Sequence, residues 1–139
     1  MPSAGIYDAA YADSVNGYLD KKTFGEVELF AGFAPKKPGP ILELACAGGR
    51  MTKAFATLGY RVVAMDGSPR MIEIGKAHAT TLDPEVRKRM HFVLADMRNF
   101  LLPIKFRLIM IPFHSFLWVL DEAGAEQCLY CMLKHLTYD

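Results

Sequence analysis

Three carboxylates and one cluster of small residues hold most of the chemical information in this chain of 139 residues. Glu43 lies in the apolar run Ile41-Leu42-Glu43-Leu44, which continues as Ala45-Cys46-Ala47-Gly48-Gly49-Arg50. Small residues between a strand and a helix let a ligand approach the backbone closely. The helix N-terminus beyond them presents N–H groups that have no partner inside the helix. Asp66 ends a second apolar run, Tyr60 to Met65. A carboxylate at the end of a second strand can accept two hydrogen bonds from a ribose diol. Asp96 ends a third run, His91 to Ala95. The order of small turn, acid, acid at three successive strand ends suits a nucleoside-like ligand held at one edge of an open sheet.

The elements that must position these groups follow from periodicity and punctuation. Ile6 to about Phe33 reads as helical, with Tyr7, Tyr11, Val15 and Tyr18 and then Phe24, Val27 and Phe30 at helical spacing, interrupted near Asn16-Gly17. Pro35-Lys36-Lys37-Pro38-Gly39-Pro40 breaks the pattern, because three prolines leave no hydrogen-bonded ladder. Strands are then expected at Ile41–Ala45, Tyr60–Met65, His91–Ala95 and Phe106–Ile111. Helices are expected at Arg50–Leu58, from Ser68-Pro69 to about Ala79, briefly after Asp83-Pro84, and from Asp121 to about Leu136. Strands alternating with helices, and strands apolar along their whole length, predict a parallel sheet covered on both faces. The fold expected is one α/β domain, three-layer α/β/α and Rossmann-like, with residues 1–34 as a helical cap and 40–139 as the ligand-binding core.

Composition narrows the function. The formal charge is +1, with 16 basic and 15 acidic residues mixed along the chain, which gives no electrostatic case for nucleic acid or an anionic membrane surface. No apolar run approaches the roughly 20 residues of a bilayer span. The opening residues contain Asp8 and Asp13 where a secretion signal would carry basic and then apolar residues, and the three cysteines are an odd number. Both features lead to an expectation of a cytoplasmic protein with free thiols.

The stretch Glu43-Leu44-Ala45-Cys46-Ala47-Gly48-Gly49 resembles the first motif of class I S-adenosylmethionine-dependent methyltransferases, written E/D-x-G-x-G-x-G. The alignment places the family's acid on Glu43 and its glycines on Ala45, Ala47 and Gly49. Asp66-Gly67-Ser68-Pro69-Arg70-Met71 resembles the family's D-x-S-x-x-M run, and Phe106-Arg107-Leu108-Ile109 its fourth strand, with Arg107 where many relatives have an acid. Tyr7-Asp8-x-x-Tyr11 resembles the start of small-molecule methyltransferases, where the segment forms a lid. The resemblance implies strand order 3-2-1-4 and a cofactor site built from Tyr11, Glu43, Ala45, Cys46, Ala47, Gly49, Asp66, Gly67, Met71, Asp96, Met97 and Pro112. It implies that Asp96 accepts a bond from the adenine amine, that Met97 lies near the base, and that the loop from Pro112 to Ser115 lies beside the sulfonium. His114 in that loop is the candidate base for a small-molecule acceptor.

Other readings stand beside this one. A nicotinamide site wants G-x-G-x-x-G, and its third position here is Arg50, too large for close helix–strand contact. The turn can be purely structural, Asp66 a helix cap, His114 a loop histidine and the tyrosine stripe a packing surface. A module that binds cofactor without catalysis, or a scaffold, is the rival function. Cys128-Leu-Tyr-Cys131 lies inside an apolar helix rather than at a helix N-terminus, so packing is favoured over redox chemistry. The four histidines have no metal-site spacing. In relatives the segment at Lys134-His135-Leu136 leads to a fifth strand, so the chain is expected to be an incomplete domain. Its fourth strand then forms an apolar edge, to be covered by a second copy of the chain in a homodimer or by the last helix.

Overall fold

The computed structural model describes residues 25–34, 36, 39–113 and 115–137. The expected lid tyrosines, Tyr7, Tyr11 and Tyr18, and the candidate base His114 lie outside the described residues.

Four parallel strands form one sheet: β1 (Ile41–Leu44), β2 (Val62–Asp66), β3 (Met90–Leu94) and β4 (Leu108–Met110), in the order β3-β2-β1-β4. Among the described residues five helices accompany them: α1 (Glu26–Ala31), α2 (Arg50–Thr57), α3 (Pro69–Ala79), α4 (Pro84–Arg87) and α5 (Glu122–His135). A single 3-10 turn, Ser115–Trp118, follows β4. The strand order expected from the resemblance is the one observed.

Alternation along the strands builds the layers. Every residue of β1 is buried, because helices cover both of its faces. Leu42 and Leu44 of β1 and Val63 and Met65 of β2 join Phe106, Cys128 and Cys131 on one face. Ile41 and Val62 join Val27, Met51 and Phe55 on the other, under α1 and α2. Period two therefore sends Glu43 to the α2 side of the sheet, where it is 2% exposed. The two helical cysteines are buried, free and part of the core, in keeping with packing.

Local chemistry sets the helix ends. Ser68 accepts the Met71 N–H at 3.1 Å and Pro69 occupies the first helical position of α3, as the sequence predicts. Asp83 accepts the Glu85 N–H at the start of α4, and Asp121 the Gly124 N–H at the start of α5.

The fourth strand departs from expectation. It spans three residues rather than Phe106–Ile111. Phe106 is taken instead by the backbone beyond α5: its N–H donates to the His135 carbonyl at 2.7 Å, and Thr137 N–H donates to its carbonyl at 2.9 Å. Helix α5 accordingly ends at His135, and Leu136 is extended, parallel to Phe106. The His135 ring fixes the same junction. Its Nε2 accepts the Leu102 N–H at 2.9 Å, so Nδ1 carries the hydrogen and donates to the Cys131 carbonyl at 2.6 Å. The start of the expected open edge is thus covered by this chain's own residues.

One aromatic ring joins β3 to two helix segments. A Cβ at Gly75 of α3 would come within 2.5 Å of Phe92 Cε1, and one at Gly49 within 3.0 Å of the same atom. The ring fills the space that both glycines leave open. Gly75→Ala is expected to destabilise the fold by about 1–3 kcal/mol through overpacking, outweighing the roughly 1 kcal/mol that alanine gains in a helix. Chemical denaturation measures this, and Phe92→Leu in the same chain should recover most of the loss.

Candidate cofactor site

The first turn follows β1 directly, and its backbone is left-handed at three positions: Ala45 (φ 55°), Ala47 (φ 49°) and Gly49 (φ 86°). Two alanines therefore take the conformation that glycine adopts without a Cβ clash. Gly49 is the N-cap of α2, and no side chain caps that helix. The site's floor is closed by Gly49 N–H donating to the Cys46 carbonyl at 2.9 Å, and by Cys46 N–H donating to the Met65 carbonyl of β2.

Asp66 binds two turns at once. Its Oδ2 accepts the Ala47 N–H at 2.8 Å and its Oδ1 accepts the Ser68 N–H at 2.9 Å. The residue is only 7% exposed, so these charge-assisted bonds act in a largely water-free setting. Gly67, between Asp66 and Ser68, is exposed.

Glu43 sits beneath the same turn. Thr52 Oγ1 of α2 donates to its Oε2 at 2.5 Å. Burial pushes its carboxyl up to about 8, opposed by the Thr52 bond and reinforced by the neighbouring Asp66 charge. Burial likewise raises the Cys46 thiol well above its ordinary value, with Glu43 and Asp66 adding to the effect. Cys46 packs with Ala64 and Ile72 and is a wall rather than a nucleophile.

Asp96 follows β3 at the same edge of the sheet. Arg98 Nε and Nη2 reach its two oxygens at 3.0 and 2.6 Å, and the Arg98 N–H donates to Oδ1 at 2.9 Å. These bonds hold the Asp96 carboxyl below its ordinary value, so it is an acceptor at neutral pH. Met71 is fully buried at the start of α3 and Met97 is 7% exposed in the core with Leu44, Met65 and Phe106. Pro112 is buried, and its carbonyl accepts the Ser115 hydroxyl at 2.8 Å, which closes the loop after β4.

The structure thus brings Ala45, Cys46, Ala47, Gly49, Asp66, Gly67, Asp96 and Pro112 to the carboxyl ends of parallel strands, places Glu43 inside β1 beneath the first turn, buries Met71 and Met97, and leaves Tyr11 and His114 undescribed. It also supplies partners that sequence reading did not assign. Thr52 anchors Glu43, Arg98 fixes Asp96, and Arg50 pairs with Glu26 at 2.6 Å. The Asp-x-Arg spacing was a local signal for the second; the first and third join separate elements and leave no such trace. Among the described residues no group of three or more histidines, cysteines or acids could hold a metal.

Two outcomes follow. Replacing Ala45 or Ala47 by glycine should leave stability unchanged or raise it by up to about 1 kcal/mol, since left-handed alanine costs roughly 1–2 kcal/mol and glycine's unfolded-state freedom returns part of that. Gly49→Ala should lower stability by more than about 1 kcal/mol, through both its φ and the Phe92 ring. Urea titration of the three variants reads both. The Glu43 carboxyl binds its proton more tightly folded than unfolded, so its contribution to stability is complete below 4.5 and is lost as the pH rises towards 8. The fold should weaken across that interval by on the order of a few kcal/mol, and Glu43→Gln should flatten the profile.

Comparison with known proteins bears on the same residues. The family described as "Methyltransferase domain" matches residues 41–139. The chain is 35% identical over 88 residues to the mitochondrial ubiquinone biosynthesis O-methyltransferase of Schizosaccharomyces pombe, a match covering 63% of this chain and 30% of that protein. The glycopeptide N-methyltransferase MtfA, solved with S-adenosyl-L-methionine, superposes with a TM-score of 0.76 at 31% identity, covering 81% of this chain and 49% of that one. The CcbJ methyltransferase of Streptomyces caelestis shares the fold, with a TM-score of 0.71 at 23% identity, over 81% of this chain and 47% of that one. The chain spans about half the length of these solved relatives, or less. With the first turn, the strand-end acids and the family match all falling on the same segment, the chain belongs to the methyltransferase domain family.

Proposed function

We propose that this chain binds S-adenosylmethionine and serves methyl transfer to a nucleophile on a small molecule. The observation that carries the proposal is the convergence of three turns at one sheet edge, with the Asp66 carboxylate tying the first to the second. The turns fit the cofactor in shape as well as charge. The first turn is left-handed and built of small residues, no side chain caps the α2 N-terminus, and in this reading the carboxylates of Asp66 and Asp96 accept from a ribose diol and an adenine amine. Bound there, the cofactor supplies an electrophilic methyl group on a positively charged sulfur. The protein's part is to align an acceptor in line with that methyl, to exclude water and to remove a proton where the acceptor carries one. In this reading the loop from Pro112 to Ser115 faces the acceptor and His114 is its base. Tyr11 belongs to the closing lid.

The acceptor is an O- or N-nucleophile in this reading, since the relatives are named as an O-methyltransferase and an N-methyltransferase. No helix among the described residues is long and apolar enough to cross a membrane. A cytoplasmic location is part of the same proposal. Association of two chains across the outer side of β4 is part of the same proposal.

Titration calorimetry with S-adenosylhomocysteine tests it. Wild-type protein should bind, and Asp66→Ala should weaken binding by roughly 10- to 100-fold, the worth of one charge-assisted hydrogen bond. Absence of binding in the wild type, or equal binding by a folded Asp66→Ala variant, overturns the assignment. Binding without methyl transfer to any small acceptor would instead identify a non-catalytic cofactor module.

A further inference from the structure

We propose that Arg50 is a positioning residue that brackets the loop after β4 and the helix α1 against the first turn, and so fixes the rim of the cofactor cleft. The inference rests on the cofactor reading of that turn. Arg50 is the first residue of α2, immediately after Gly49, and is 8% exposed despite its charge. A buried guanidinium is costly unless it is paired. Here it has a partner from each side. Its Nη2 meets Glu26 Oε1 of α1 at 2.6 Å, and its guanidinium carbon lies 4.5 Å from the centre of the Phe113 ring.

Both partners show that the contact shapes its surroundings. Phe113 is left-handed at φ 58° and 54% exposed, an unfavourable backbone for a bulky residue that gains little from burial. The cation over its ring is an attraction that works against the cost of this conformation. On the other side, Gly25 at φ 84° starts α1 so that Glu26, in the first helical turn, reaches the guanidinium. Arg50 therefore joins the segment before β1, the turn after β1 and the loop after β4. The last two are neighbours at the carboxyl edge, because β1 pairs with β4. A planar fork that binds a carboxylate through its edge while stacking on a ring through its face is peculiar to arginine.

The test joins amide hydrogen exchange to cofactor affinity. Arg50→Met should accelerate exchange in residues 111–116 by roughly tenfold while leaving β2 and β3 unchanged, and should weaken S-adenosylhomocysteine binding by about fivefold to tenfold. Arg50→Lys should recover less than half of the affinity, because lysine keeps the charge and loses the fork. Should Arg50→Met fail to fold, Glu26→Gln and Phe113→Leu decide the matter. Each should show the same local acceleration, and the double variant should fall short of the sum of the two, since both act through one guanidinium. Unchanged exchange in residues 111–116 in these variants, or wild-type affinity in a folded Arg50→Met, overturns the proposal. Absence of binding by the wild type refutes the cofactor reading, and exchange then judges the bracket alone.

Discussion

The arrangement of the strand-end turns depends on one carboxylate. Asp66 ends the second strand, and its two oxygens hold the amide of Ala47 in the first turn and of Ser68 in the second. Removing that side chain would leave two amides without their acceptor in a poorly hydrated place, which costs more than the bonds alone contribute. The backbone joins the same elements through Cys46 N–H and the Met65 carbonyl. Asp66 is therefore part of the scaffold of both turns, which accounts for a carboxylate so nearly enclosed.

A second constraint is electrostatic. The Asp66 charge adds to the burial that disfavours an ionised Glu43, and the two carboxyls sit in different environments. Asp66 is stabilised as an anion by backbone donors, whereas Glu43 is enclosed by helix α2 and given a single hydroxyl partner, Thr52. The pair thus offers one acceptor ready for hydrogen bonding and one group poised to change protonation near neutral pH. Asp96 receives a third treatment, an arginine on the same turn.

Much of this was legible in the residues. The strands β1, β2 and β3, the Ser68-Pro69 helix start and the acids at successive strand ends all have local signatures: apolar runs, a cap with proline after it, and a carboxylate where the run stops. What escaped was non-local. The fourth strand is short because Phe106 pairs with residues about 30 positions later, and no pattern within Phe106–Ile111 announces that. The Glu26–Arg50 pair spans 24 positions, and Thr52 finds Glu43 only once α2 lies on β1. The alanines of the first turn are the converse case. Their residue type argues against left-handed backbone, yet the neighbouring hydrogen bonds impose it on both. Tertiary context there outweighed a local preference worth roughly 1–2 kcal/mol.

The ring of Phe92 has a consequence for how this sequence can drift. It touches the space above Gly49 in the cofactor turn and above Gly75 in a helix one element away. A side chain at either glycine presses on the ring, and shrinking the ring alone opens a void beside both. A change at either glycine is therefore best tolerated with a compensating change at the ring, which couples the helix that carries Gly75 to the turn where Asp66 meets the backbone.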